Sequence, residues 1–209
     1  LMNHTSGLVR YELKPKFTSD LTANPDKVWS VQDRLAYLFD TKAPFAAGQG
    51  WDYSDTNYIV LGAILERVSG APYYELLKKR ILVPLGLKDT VPADSRIVPG
   101  LVQGYAGPDN PFGGSDEMIK EGRFAVNPQF EWTGGGLAGT SSDLADWTRA
   151  LHEGRGVHSS PMDDLLDRMT RARLPWTSPR LREWYDEARL TAQHRHDLET
   201  DAGRVGDVR

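Results

Sequence analysis

A chain of 209 residues fits one large domain or two small ones and is long enough to bury a core without help from disulfides or structural metal. With 39% hydrophobic residues, 26% charged residues and a formal charge of −4, it is neither a wholly disordered chain nor a general nucleic-acid binder, which needs a concentrated basic face. The lack of cysteine excludes disulfides, thiolate nucleophiles and Cys-ligated zinc, and no apolar run approaches the roughly eighteen residues of a membrane span.

In chain order, Ser30 with Asp33 resembles a capping box, and Val31, Leu35, Leu38 and Phe39 follow at helical spacing, which predicts a helix over about 31–40 that ends at Ala43-Pro44. From Asn57 to Ser69, Tyr58, Leu61, Leu65 and Val68 form an apolar stripe with Ile64 beside it, and Gly70 stands in the C′ position. Pro72 suits a first helical turn, and Tyr73, Leu76, Leu77 and Ile81 carry a neighbouring helix into Pro84-Leu85-Gly86-Leu87. Between Thr90 and Pro128 the density of Gly, Pro and Asp allows only short strands or loops, with Ile97–Tyr105 the best strand candidate. Gln129–Thr133 reads as another short strand, after which Thr140 and Asp143 cap a helix bearing Leu144, Trp147 and Leu151 and closed by Gly154. Beyond about Pro175 arginine and acidic residues crowd the chain and apolar residues thin out, so 176–209 reads as a polar tail, a solvated helix with a frayed end.

Several chemical motifs are matched formally or not at all. Gly134, Gly136 and Gly139 satisfy G-x-G-x-x-G, but the preceding Gln129–Thr133 is half polar where a dinucleotide-binding strand is continuously aliphatic, so the glycines read as a close backbone approach before a capped helix and no cofactor is expected. His152-Glu153 lacks the second histidine of a zinc helix, and His194, His196 and Asp197 read as solvated surface groups, so no metal is expected. There is no G-x-S-x-G, S-x-x-K, K-T-G or K-S-G. What stands out is Trp51–Tyr58, a polar and aromatic turn set against the start of the 57–69 helix. By itself it reads as an N-cap at Asp55 or Thr56 with Tyr53 packed beside it.

Four ordered stretches change that reading. Leu1–Leu8 (LMNHTSGL), Tyr53–Gly62 (YSDTNYIVLG) with Ser69-Gly70, Val83–Leu87 (VPLGL) with Thr90, and Gly135–Trp147 (GGLAGTSSDLADW) resemble landmarks of the penicillin-recognising serine hydrolases. The similarity is nearest to the branch of class C β-lactamases, D-alanyl-D-alanine carboxypeptidases and β-lactamase-fold esterases, and it spans about residues 1–152. It implies an α+β fold, an antiparallel sheet flanked by helices plus a helical domain, to which residues 1–175 would contribute mostly the helical part with short strands. It implies a small-molecule or peptide substrate without nucleic acid, and a periplasmic or secreted setting. It leaves oligomeric state open.

Within the resemblance, Tyr53-Ser54-Asp55 matches the family's Y-x-N element, with Tyr53 on the tyrosine and Asp55 on the asparagine. A serine hydroxyl needs a neighbouring group to take its proton, and a phenol near ammonium groups serves once its pKa is depressed, so Tyr53 is the expected acid/base partner. Asp55 departs from the pattern, since a carboxylate can hold the family's lysine charged but cannot donate a hydrogen bond when ionised. His4, Thr5 and Ser6 are expected to be structural, with Gly7 permitting the turn. The S-x-x-K nucleophile would precede residue 1 and the K-T-G-like strand would follow the helix after Thr140, so the resemblance implies an internal fragment, inactive alone, of a hydrolase acting by acyl-enzyme on a β-lactam, a D-Ala-D-Ala peptide or a small ester. The alternative is a binding protein that keeps the fold without the nucleophile.

Overall fold

The computed structural model describes residues 1–107, 116–153 and 155, without the His152 side chain. The expected boundary at 175/176, the polar tail, Gly154, and His194, His196 and Asp197 lie outside the described residues.

The first helix, α1 (Pro15–Ala23), has proline at its opening position, where a missing N–H costs no intrahelical bond. Phe17 and Leu21, one turn apart, are fully buried, while Lys16 and Asp20 form an exposed ion pair along the outer face. No such helix was anticipated from the sequence, because its apolar stripe is only two residues long. Next, α2 (Val31–Leu35) starts on the Ser30–Asp33 capping box and tightens into a 3₁₀ turn over Ala36–Leu38. The longest helix among the described residues, α3 (Thr56–Ser69), ends on Gly70 with φ 71°, as its C′ glycine predicts. Its buried residues are Thr56, Asn57, Ile59 and Gly62, whereas Leu65 and Val68 of the expected apolar stripe are exposed.

A short helix, α4 (Tyr73–Leu77), continues through a π turn at Lys78–Leu82 into a last turn, α5 (Val83–Leu85), that stops at Gly86 with φ 69°. It lies beside α3, where the Tyr73 N–H donates to Glu66 Oε1 at 2.8 Å. Four two-residue strands follow in two antiparallel pairs: β1 (Val91–Pro92) with β4 (Leu137–Ala138), and β2 (Ile119–Lys120) with β3 (Arg123–Phe124). The final described helix, α6 (Ser141–His152), begins on Thr140, whose hydroxyl accepts from the Asp143 N–H at 3.2 Å.

Two expected strands are absent. Ile97–Tyr105 is irregular, with a turn through Gly100 at φ 78° and only Tyr105 bridging to Glu117, because Pro99-Gly100 and Gly104 interrupt the extended run. Gln129–Thr133 is occupied by 3₁₀ turns at Pro128–Phe130 and Trp132–Gly134. Asn127 caps the first turn by accepting from the Gln129 N–H, and the two turns carry both Phe130 and Trp132 inward, giving the alternation that imitates a strand.

These turns close an aromatic core of Tyr11, Phe17, Leu21, Trp29, Ile59, Phe130 and Trp132. Phe17 is its hub, with ring centroids 5.0 Å from Tyr11, 4.9 Å from Trp29 and 5.6 Å from Phe130. The buried Arg34 guanidinium donates to the carbonyls of Phe130, Trp29 and Gln129 at 2.6–2.7 Å, pinning this loop to α2. On the other side, Thr56 Oγ1 donates to the Val9 carbonyl and accepts from the Tyr11 N–H, which lays the Arg10 segment against the start of α3. Among the described residues no helix is long and apolar enough to cross a membrane.

Candidate active site

The turn Tyr53-Ser54-Asp55 enters α3 over a polar network built by the N-terminal loop. Ser6 Oγ donates to Asn57 Oδ1 at 2.5 Å, Asn57 Nδ2 donates to the Ser54 carbonyl at 3.0 Å, and the Ser54 N–H donates to His4 Nδ1 at 3.2 Å. Gly7 turns at φ 78° with its α-carbon against the Phe45 carbonyl, where an added Cβ would come within 2.4 Å. Thr5 Oγ1 donates to Asn3 Oδ1, and His4 lies with its ring centroid 4.5 Å from that of Tyr53.

Tyr53 is 43% exposed, and its hydroxyl donates to Asp55 Oδ1 at 2.6 Å. Asp55 stands in the N-cap position, yet its side chain makes no capping bond and turns to the phenol instead. The Arg10 guanidinium lies 5.2 Å from the centre of the Tyr53 ring and 3.7 Å from Asp55 Oδ2, and its Nε donates to Glu12 Oε1. Glu12 is 2% exposed, and its Oε2 has no hydrogen-bond donor among the described residues. A third acid joins from the loop before β4: a side chain at Gly134 would touch both Asp55 Cβ, at 3.4 Å, and Glu131 Oε2, at 3.6 Å. Two carboxylates thus pair with the Arg10 guanidinium, and Glu131 adds a third acid within reach of the charges of both Arg10 and Arg34.

The charges set the protonation states. The hydrogen bond to Asp55, with partial burial, pushes the Tyr53 phenol up to about 12. Among the residues present, the carboxylate that accepts the phenol's hydrogen bond outweighs Arg10. Burial, then the Asp55 and Glu12 charges, push Glu131 up to about 7. Burial also raises Glu12 from its ordinary value, against the pull of Arg10 and with help from Asp55. Arg10, Glu12 and Glu131 were not foreseen as part of this cluster. Their positions in sequence carry no motif, and only the alternation of charge with aromatics in Arg10-Tyr11-Glu12 and Phe130-Glu131-Trp132 hints at charge held within a core.

Of the nearest serines, Ser54 is fully buried, its Oγ without a hydrogen-bond partner among the described residues, and Ser6 Oγ is engaged with Asn57. The glycine-rich turn is structural, since a Cβ at Gly136 would come within 2.7 Å of both the Trp132 carbonyl and Tyr74 Oη. Among the described residues no group of three His, Cys, Asp or Glu side chains is placed to hold a metal ion. A cavity of about 770 Å³ lies elsewhere, lined by α2, α3 and Trp132 and lacking Tyr53 and Asp55.

Known proteins share this framework. Penicillin-binding protein 4* of Bacillus subtilis (strain 168) is 34% identical over 110 residues, 51% of this chain and 23% of that protein. Esterase EstB of Burkholderia gladioli is 27% identical over 186 residues, 80% of this chain and 47% of the esterase. Among solved structures, a D-stereospecific amidohydrolase from Streptomyces sp. superposes with a TM-score of 0.65 at 26% identity, over 75% of this chain and 46% of that one. The chain therefore spans less than half the length of each of these relatives. Its helices and short strands are those of the β-lactamase and penicillin-binding-protein α+β fold. With the Beta-lactamase family matching residues 1–198, well past the last sequence landmark, the chain belongs to that family.

Proposed function

We propose that the protein hydrolyses an amide or ester through a serine acyl-enzyme, with Tyr53 as proton-transfer partner and Asp55 as the group that fixes it. The observation that carries this reading is the exposed Tyr53 ring at the head of α3, its hydroxyl 2.6 Å from Asp55 and its face beside Arg10. The serine comes from outside the 209 residues, as the S-x-x-K element of the family requires. Its hydroxyl oxygen bonds to the substrate carbonyl carbon as its proton passes to the Tyr53 phenolate, the bond to the leaving amine or alcohol breaks, and Tyr53 returns the proton to that leaving group. Water then hydrolyses the acyl-enzyme by the same transfers in reverse order. The two N–H groups of an oxyanion hole would come from the nucleophile and from the facing strand.

For the phenol to act as a base it has to lose the proton that Asp55 now accepts. An ammonium beside Asp55, such as the lysine of S-x-x-K, would neutralise the carboxylate and lower the phenol toward the working pH. Asp55 suits that task, since an aspartate pairs with the ammonium where the family's asparagine offers only a dipole. The names of the relatives span penicillin binding, esterase and D-stereospecific amidohydrolase, and support an acyl substrate of the amide or ester class.

Intact-mass spectrometry on the protein with its flanking reading frame tests the reading. Incubation with benzylpenicillin, a p-nitrophenyl ester or a D-amino acid amide should trap or turn over an acyl adduct that maps to an S-x-x-K serine. Saturable binding with neither adduct nor turnover would contradict it and leave a binding relative.

A further inference from the structure

We infer that Arg10, anchored by Glu12, is a positioning residue for Tyr53: it holds the phenol ring over the start of α3 and opposes the pull of Asp55 on its proton. Only the catalytic consequence of this rests on the hydrolase reading; the clamp itself is a property of the chain. Arg10 makes three contacts that converge on the same turn, with Glu12 through Nε, with Asp55 Oδ2 at 3.7 Å and with the Tyr53 ring at 5.2 Å. Glu12 is rooted in the core. The residue is 2% exposed, and the next residue back, Tyr11, is locked by its hydroxyl on the Phe130 carbonyl and its N–H on Thr56. The anchor is therefore built into the aromatic core while the guanidinium reaches the half-open turn.

An ordinary surface ion pair would contribute little and would leave the phenol unaffected. Arg10–Glu12 differs because one partner is buried and the other lies against the ring. The groups facing Tyr53 are Asp55 within its own turn, Arg10 and Glu12 from the N-terminal segment, and His4, whose ring centroid is 4.5 Å away. Glu131 faces Asp55 and Glu12 from the loop before β4. Of these, Arg10 is the cation that favours phenolate, and the carboxylates favour phenol. Without the arginine, the ring would answer to the anions alone.

The test is the titration of Tyr53 in the 209-residue chain, followed by NMR on tyrosine labelled with ¹³C at Cζ and assigned through Tyr53→Phe. Asp55→Asn replaces the carboxylate by a neutral amide and brings the midpoint down from about 12 into a convenient range. In that background Arg10→Met should raise the midpoint by about half a unit or more, and Arg10→Lys should recover part of the shift. Arg10→Gln replaces Arg10→Met if the latter fails to fold by circular dichroism. An unchanged midpoint in a folded, neutral variant overturns the inference. Glu12→Ala discriminates further by sign: loss of a negative charge alone lowers the midpoint, whereas release of the arginine opposes that fall, so a midpoint unchanged or raised keeps Glu12 in the clamp and a fall removes it. Failure of the hydrolase reading would instead appear as absence of an acyl adduct with these shifts intact.

Discussion

Gly62 of α3 and Thr133 of the following 3₁₀ turn meet so closely that a Cβ on the glycine would lie 2.4 Å from the threonine methyl. Thr133 Oγ1 also donates to the Tyr58 carbonyl at 2.8 Å, which ties the loop carrying Glu131 to the helix carrying Asp55. Gly62→Ala should therefore destabilise the fold by about 1–3 kcal/mol through overpacking, although alanine is the better helix former by roughly 1 kcal/mol. Urea denaturation checks this, and a more stable variant would show that the two elements separate freely.

Arg34 is 1% exposed and donates to three loop carbonyls, of which that of Phe130 also accepts from the Tyr11 hydroxyl and that of Trp29 from Gln129 Nε2. Arg34→Met keeps much of the volume but takes the guanidinium from the Gln129 carbonyl and one of two donors from each of the Phe130 and Trp29 carbonyls, so we expect a loss of about 1–3 kcal/mol. Chemical denaturation gives the value, and a loss below about 1 kcal/mol would mean that the loop relaxes to water.

Glu131 supplies a pH dependence with a definite sign. Its folded pKa of about 7 exceeds its ordinary value of 4.5, so between those limits the folded state holds a proton that the unfolded state has released. Stability from this group is present below about 4.5, falls as pH rises through about 7, and is level above. Glu131→Gln should flatten that part of the profile and stabilise the chain at pH 8 by up to about 3 kcal/mol. Denaturation midpoints measured from pH 4 to pH 8 on both proteins decide it, and parallel profiles would show that the carboxyl is not held protonated.

Asp143 does more than begin a helix. Its N–H bonds the Thr140 hydroxyl, while its Oδ2 accepts from the Asp89 N–H at 2.9 Å and from Thr90 Oγ1 at 2.8 Å. Thr140→Ala should cost about 1 kcal/mol as a lost cap, and Asp143→Ala about twice that, since it also frees the segment before β1. Equal losses would reduce Asp143 to a capping role.

Elements with local signals were legible in the sequence. The Ser30 and Thr140 caps and the Gly70 stop mark helix ends through bonds made within a few residues. The inward face of α3 was not, because it is set by a glycine and three small or medium residues meeting a distant turn, and hydrophobic periodicity selects the larger side chains at 61, 65 and 68 instead. The 129–133 stretch misled for a related reason: Pro128 and the Asn127 cap start a 3₁₀ turn whose geometry also brings Phe130 and Trp132 to the same side. Of the site, Tyr53 and Asp55 stood out because the resemblance marks them. Arg10, Glu12 and Glu131 arrive by long-range packing around Tyr11, Thr56 and Phe130, which leaves no trace in local spacing.

The most direct measurement is kcat/KM of Tyr53→Phe in the protein carrying its nucleophile segment, on whichever ester or amide the parent turns over. The substitution removes only the hydroxyl from an exposed ring, so folding should be unaffected. Loss of a positioned proton-transfer group predicts a fall of about 10²–10⁴-fold. Activity retained within about threefold would contradict the role assigned to Tyr53.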